Sequence, residues 1–166
     1  KKAYRFSTKV AVISYFLAGK TQNLAPGDAM LAGLFQDIGV PSILATLDEY
    51  PNILQNDLNR TKCIDVLAPR VGALIIKKWG LDEMLGVVES RKNWWLDKEQ
   101  LGLAELVLIA RVHATIGTPE FRACPPLLEI PAFQKLQLGE LGPDNTLQIL
   151  SESKNELAEI ERLLAA

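Results

Sequence analysis

Hydrophobic residues recur along this chain at intervals of three and four positions, the spacing that places them on one face of an α-helix. The first such stripe lies between residues 4 and 18. A second follows Pro26, a residue suited to the first turn of a helix. Little of the chain alternates apolar and polar residues as a half-buried β-strand would. The pattern therefore predicts an all-α fold of about six to eight helices.

Prolines and glycines divide the following segment into further helices. A helix is predicted to restart at Pro41 and to break before Pro51, because the residue preceding a proline is driven out of the helical conformation. Pro69 predicts another helix start, and Gly80 a left-handed end to the same helix. Asp82 is suited to cap the next helix.

Residues 101–114 are apolar nearly all round, which predicts a helix in the middle of the fold. Asp97 and Gln100 have the spacing of a capping box, so they are expected to begin this helix. Residues 118–142 are rich in proline and glycine and predict an extended strap, with apolar side chains that anchor it to the domain. The anchors are Leu127, Leu128, Ile130, Phe133 and Leu136.

The last segment, residues 143–166, predicts a helix whose apolar positions lie near heptad spacing. So few heptads favour packing on its own domain over a coiled-coil homodimer, although the pattern leaves the homodimer open. The expected organisation is therefore a helical domain over residues 1–117, the strap over 118–142 and the C-terminal helix over 143–166.

Composition narrows the classes of partner. The chain has 166 residues and a net charge of −2 with acids and bases interspersed, so nucleic acid is not an expected partner. Cys63 and Cys124 have neither a metal-ligand nor a disulfide spacing, which favours reduced thiols in a cytoplasmic protein. No apolar run approaches the roughly 20 residues of a membrane span, so no membrane is expected either.

Three segments, in the same order, resemble one protein family. "AMLAGLFQDIGV" (29–40) resembles the helix that carries "GLLHDIG" in HDOD domains, the HD-related output domains of bacterial signalling proteins. "APRVGALIIKKWGL" (68–81) is similar to that family's segment with Val-Gly followed by Trp, and "LAELVLIARVHA" (103–114) to its late helix. The resemblance implies an HD-like helical bundle. It covers the later part of the family domain, so further helices are expected before residue 1.

Catalytic HD relatives hold divalent metal with His and Asp ligands, and the resemblance shows what occupies those positions here. In this chain, the positions of single ligands in those relatives are occupied by Phe6, by Gln36 beside Asp37, by Ala68 and by Arg111. The positions of a further pair of His ligands fall at about Lys92 and Asn93. Asp37 alone keeps the ligand's identity. One carboxylate cannot form such a site, so no metal ligands, no catalytic residues and no cofactor are expected.

Asp37 has two competing interpretations. It is either a local carboxylate at a helix end, bonded to backbone amides or an adjacent base, or the partner of Arg111, whose guanidinium would replace the lost cation. His113 lies two positions beyond Arg111 and points to another helix face, so it cannot replace a ligand. Trp94 and Trp95 predict at least one side chain packed at the edge of the core, with ligand contact as the alternative.

The resemblance implies a non-catalytic signalling module that binds a protein partner or relays the state of an attached sensory domain, such as a receiver or a cyclic-nucleotide-binding domain. The alternative is an HD-type metal-dependent phosphohydrolase with an unorthodox site. A third hypothesis is that the former site binds a nucleotide without hydrolysing it.

Overall fold

The computed structural model describes residues 2–136, 148, 150, 151 and 154–165, and every regular element in these ranges is helical, as predicted. Short 3₁₀ helices occupy Asp82–Met84, Pro119–Ala123 and Leu127–Glu129. The α-helices are α1 (Lys2–Lys20), α2 (Pro26–Phe35), α3 (Val40–Leu47), α4 (Pro51–Leu54), α5 (Asp57–Trp79), α6 (Leu85–Glu89), α7 (Leu103–Thr115), α8 (Pro131–Gln134) and the C-terminal helix (Lys154–Ala165).

Helix α7 lies at the centre of the domain. Every residue from Ala104 to Thr115 is buried, because α1, α2, α6 and α8 all pack against it. The predicted capping box is wrong, since the backbone N–H of Gly102 donates to Glu105 Oε2 at 3.1 Å and α7 begins there. Asp97 instead forms an ion pair with Lys135, so a contact distant in sequence takes the carboxylate that local spacing assigned to a cap.

Helix α5 continues through Pro69, contrary to the expectation of a new helix start. A proline inside a helix removes one backbone hydrogen bond and costs about 3 kcal/mol. The packing of α3, α4 and α6 against α5 offsets that cost by holding both halves of the helix. The predicted end is confirmed, because Gly80 has a φ of 70°. Asp82 does not cap α6 but lies in the 3₁₀ turn before it.

The turn between α2 and α3 sits directly against α5. Helix α2 ends at Phe35, so Gln36 caps it and Asp37 lies in the turn rather than in the last helical turn. Gly39 is the N-cap residue of α3. A Cβ on Gly39 would lie 2.6 Å from the Ala68 carbonyl oxygen, so only glycine lets the turn approach α5 this closely. This approach brings Asp37 beside α5.

The segment Pro26–Leu47 is long and apolar enough to cross a membrane, by length and composition alone. This differs from the expectation that no apolar run approaches the length of a membrane span. The segment consists of α2 and α3 with the turn between them, and the core helices of soluble proteins pass the same test. Asp37 lies inside the segment and is bound by side chains from elsewhere in the chain. Packing within the domain buries 39% of the most apolar 18-residue window of this segment.

The strap packs on α7 as far as the described residues extend. Ile130, Phe133 and Leu136 are buried as predicted, and Leu127 packs against the core, whereas Leu128 is 64% exposed and anchors nothing. The C-terminal helix packs against α1. Several predicted features lie outside the described residues. They are the rest of the strap (137–142), the helix start at residue 143 and the side chain of Leu164, an apolar position of the C-terminal helix.

Candidate functional site

A buried ion pair between Asp37 and Arg111 joins the α2–α3 turn to α7. Arg111 Nη1 lies 3.0 Å from Oδ1 and 3.0 Å from Oδ2 of Asp37, and the two side chains are 7% and 10% exposed. The same nitrogen donates to Gln36 Oε1. The contact proposed from sequence is therefore confirmed, and the helix-end interpretation of Asp37 is incomplete because the carboxylate binds a distant arginine.

A second arginine, which the sequence did not single out, completes the cluster. Arg91 Nε donates to Asp37 Oδ1 at 2.5 Å, and Arg91 Nη1 donates to Asp65 Oδ1 at 2.7 Å. Lys92 Nζ binds the same oxygen of Asp65 at 2.8 Å. Asp65 comes from α5, and the two basic residues come from the turn after α6. The cluster thus ties three parts of the chain together around Asp37.

Of the other predicted positions, the structure brings Phe6 and Lys92 to this cluster and leaves Ala68 and Asn93 outside it. The Phe6 ring faces the guanidinium of Arg111, with 5.0 Å between the ring centre and Cζ. Ala68 is buried in a smaller core between α3 and α5, one turn along α5 from Asp65. Asn93 is exposed. Of the expected pair of positions at Lys92 and Asn93, only Lys92 reaches the cluster, and its neighbour Arg91 does so as well.

The side chains at the cluster do not fit a divalent metal. Both oxygens of Asp37 accept hydrogen bonds from guanidinium groups, so two fixed positive charges lie where a cation would bind. Metal sites of this chemistry require several anionic or imidazole ligands. The described residues contain no group of three or more His, Cys, Asp or Glu side chains placed to hold a metal.

Electrostatics of the cluster predict how stability depends on pH. Burial raises the pKa of Asp37, but the charges of Arg111 and Arg91 outweigh it and hold the pKa below the ordinary value of 3.8. A carboxyl with a lowered folded-state pKa contributes stability above its unfolded pKa and loses it as the pH falls through the folded value. The free energy of unfolding should therefore fall as the pH drops below about 3.8.

The measurement is chemical denaturation between pH 5 and pH 2, about the range over which a lowered carboxyl titrates. Asp37→Asn should show a shallower dependence on pH than the natural sequence, because it has lost one of the coupled protonation sites. Asp65, whose pKa the neighbouring basic groups also lower against its burial, remains to give a residual slope. Identical slopes for the natural protein and Asp37→Asn would contradict the assignment.

A cavity of about 800 Å³ opens beside the ion-pair cluster. Its lining combines basic groups of the cluster with aromatic and hydroxyl side chains from α1, α5, α7 and the strap. Trp94 lines the cavity, whereas Trp95 is 59% exposed and does not. Trp94 also packs against the core, which confirms that at least one of the pair lies at the core edge, whereas Trp95 does not.

His113 takes no part in the cluster, as its helical position predicts. Its Nδ1 lies 2.8 Å from the Ile109 carbonyl oxygen, and its ring packs near Phe133 of α8. Burial lowers the pKa of His113 and outweighs the effect of the Ile109 carbonyl. Its surroundings are those of a core histidine at the contact between α7 and α8.

One known protein family matches the first 92 residues of the chain. The HDOD domain family model matches residues 1–92, which include Phe6, Asp37 and the basic pair at Arg91 and Lys92. The match ends before α7, so Arg111 lies beyond it. Neither curated proteins nor solved structures gave a significant match. Because the match spans more than half of the 166 residues, the chain belongs to the HDOD domain family.

Proposed function

We propose that this chain is a non-catalytic regulatory module of bacterial signal transduction. The observation that carries the proposal is the pairing of Asp37 with Arg91 and Arg111. Hydrolysis in HD relatives requires a metal that polarises a phosphoryl group and activates water. Two guanidinium groups supply positive charge here, but they bring no exchangeable water that could become a nucleophile.

The ion-pair cluster then has a structural role: it fixes the relative positions of the α2–α3 turn, α5 and α7. A domain held in this way can present a constant surface to a protein partner or an attached sensory domain, of the receiver or cyclic-nucleotide-binding type. We place it in the cytoplasm, where Cys63 and Cys124 remain free thiols. The proposal includes no membrane or nucleic-acid partner.

The test measures metal content and hydrolysis in the same preparation. Protein purified from cells supplied with iron, manganese and nickel should contain far less than one metal ion per chain, and it should not hydrolyse p-nitrophenyl phosphate when these metals are added. The matched control is Asp37→Asn, which removes the candidate ligand. Stoichiometric metal that disappears in Asp37→Asn, or metal-dependent hydrolysis that does so, would support the phosphohydrolase alternative and overturn the proposal.

A further inference from the structure

The cavity beside the cluster combines unused hydrogen-bond donors with an apolar wall. Among the described residues, Arg111 makes its hydrogen bonds through Nη1, and Arg91 makes its own through Nε and Nη1. Both side chains line the cavity and are almost completely buried. Nε and Nη2 of Arg111 and Nη2 of Arg91 therefore remain to bind an acceptor that enters from the cavity.

The charges of the cluster specify the sign of that acceptor. Arg91, Arg111 and Lys92 carry three positive charges, and Asp37 and Asp65 carry two negative charges, so the cluster has a formal charge of +1 (3 − 2). Glu120, which also lines the cavity, carries a further negative charge. A buried excess charge is unfavourable unless it is paired. One monoanionic group on a ligand would accept charge-assisted hydrogen bonds from the arginines.

The backbone at Lys92 is a second, independent sign of a binding site. Lys92 has a φ of 56°, in the left-handed region that side chains with a Cβ rarely adopt. Such backbone strain is concentrated at functional sites. It is maintained here because Asp65 binds Lys92 and its neighbour Arg91, which turns both basic side chains toward the cavity.

The rest of the cavity lining suits an apolar group. Trp94, Phe6 and Ala123 contribute carbon surface, and Thr61 and Thr115 contribute hydroxyl groups near it. A volume of about 800 Å³ lies within the range of small-molecule sites. Pockets of this kind orient a ligand through a few polar groups while burying its apolar part.

We infer that the cavity is a receptor site for a small organic anion, whose oxyanion binds Arg111, Arg91 and Lys92 and whose apolar or aromatic body packs against Trp94. The inference rests on the proposed non-catalytic function, since the ligand would be bound and released unchanged. Carboxylates and phosphate monoesters share the required oxyanion chemistry. Three carboxylates, those of Asp37, Asp65 and Glu120, belong to the cluster or line the cavity and would repel a dianion, which favours the monoanionic carboxylate.

The test uses three matched probes: phenylacetate, phenyl phosphate and the neutral phenylacetamide. Binding is followed by NMR through the indole N–H signals of the three tryptophans, of which Trp94 lines the cavity while Trp79 and Trp95 do not. Phenylacetate should shift the Trp94 signal saturably and leave the other two in place. Phenylacetamide should bind about tenfold more weakly, the loss expected for one charge-assisted hydrogen bond.

Two variants with matched controls locate the site. Lys92→Asn removes the charge while retaining a residue that tolerates positive φ, and it should weaken phenylacetate binding about tenfold. Lys98→Asn, at an exposed lysine outside the cavity, should have no effect. Trp94→Leu should weaken binding of both aromatic anions, and Trp95→Leu should not. Circular dichroism confirms that each variant is folded before binding is measured.

The outcomes separate this inference from the proposed function. Equal binding of phenylacetate and phenylacetamide, or no saturable shift of Trp94 with either anion, would overturn the anion site and leave the non-catalytic proposal standing. Tighter binding of phenyl phosphate than of phenylacetate would retain the site and assign it to phosphate esters. Metal-dependent hydrolysis of phenyl phosphate would instead overturn the proposed function.

Discussion

Replacing Asp37 with asparagine is expected to lower the free energy of unfolding by about 3 to 5 kcal/mol, the range for breaking a buried ion pair from one side. The substitution preserves the shape of the side chain but removes the negative charge that Arg91 and Arg111 share. Both guanidinium groups are almost fully buried, so water cannot replace the carboxylate. Urea denaturation at neutral pH measures the change.

Asp65→Asn is the matched control, because Asp65 also binds Arg91 but its side chain is 38% exposed. After this change Arg91 still has Asp37 as its partner, and Lys92 is 35% exposed and can be solvated, so the loss should not exceed about 1 kcal/mol. Similar losses for Asp37→Asn and Asp65→Asn would show that burial does not govern the cluster.

A double-mutant cycle tests the direct coupling of Asp37 and Arg111. Arg111→Ala alone should cost about 3 kcal/mol, because Asp37 remains buried with Arg91 as its only cation. The double variant Arg111→Ala with Asp37→Asn should lose much less free energy of unfolding than the sum of the two single variants. Both charges of the pair are then absent, so neither remains buried without the other. Additive losses would contradict the pairing and assign Asp37 a local role in its turn.

The second large effect is expected at Gly33, where α2 crosses α1. A Cβ on Gly33 would lie 2.6 Å from Cα and 2.8 Å from the backbone nitrogen of Ala11. Backbone atoms in a helix cannot rotate away as a side chain does, so Gly33→Ala must separate the two helices. The expected loss is about 3 kcal/mol, at the upper end for overpacking a core, measured by thermal and urea denaturation.

Gly27→Ala provides the control on the same helix. No atom lies within 4 Å of a Cβ built at Gly27, and alanine has the higher helix propensity. This change should leave stability unchanged or raise it slightly. Equal losses at Gly27 and Gly33 would indicate a general effect of replacing glycine in α2 and not a steric one at the α1 crossing.

The sequence predicted the fold where local pattern and tertiary packing agree. Helix α7 is apolar nearly all round and could only be central, and Gly80 ends α5 because few other residues adopt its backbone conformation. Prediction failed where a distant contact overrode a local rule. The cost of a proline inside a helix predicted a helix start at Pro69, but α5 continues through it. Local spacing predicted a helix cap at Asp97, which instead pairs with Lys135.

At the candidate site, the sequence identified the pair of Asp37 and Arg111 but not Arg91. The first two stand on helices or next to one, where the family motifs fix the alignment of each residue. Arg91 lies in a turn whose geometry depends on the left-handed backbone of Lys92, and nothing in the sequence pattern indicates a lysine in that conformation.

The two arginines beside Asp37 also change what this domain can respond to in a cell. A metal cofactor must be acquired, can be lost to chelators and, in the case of iron, changes with oxidation. The guanidinium groups are made with the chain and keep their charge throughout the physiological pH range. Under the proposed function, the ion-pair cluster would not change with metal supply or with the oxidation of iron, so a signal would have to reach the domain by another route.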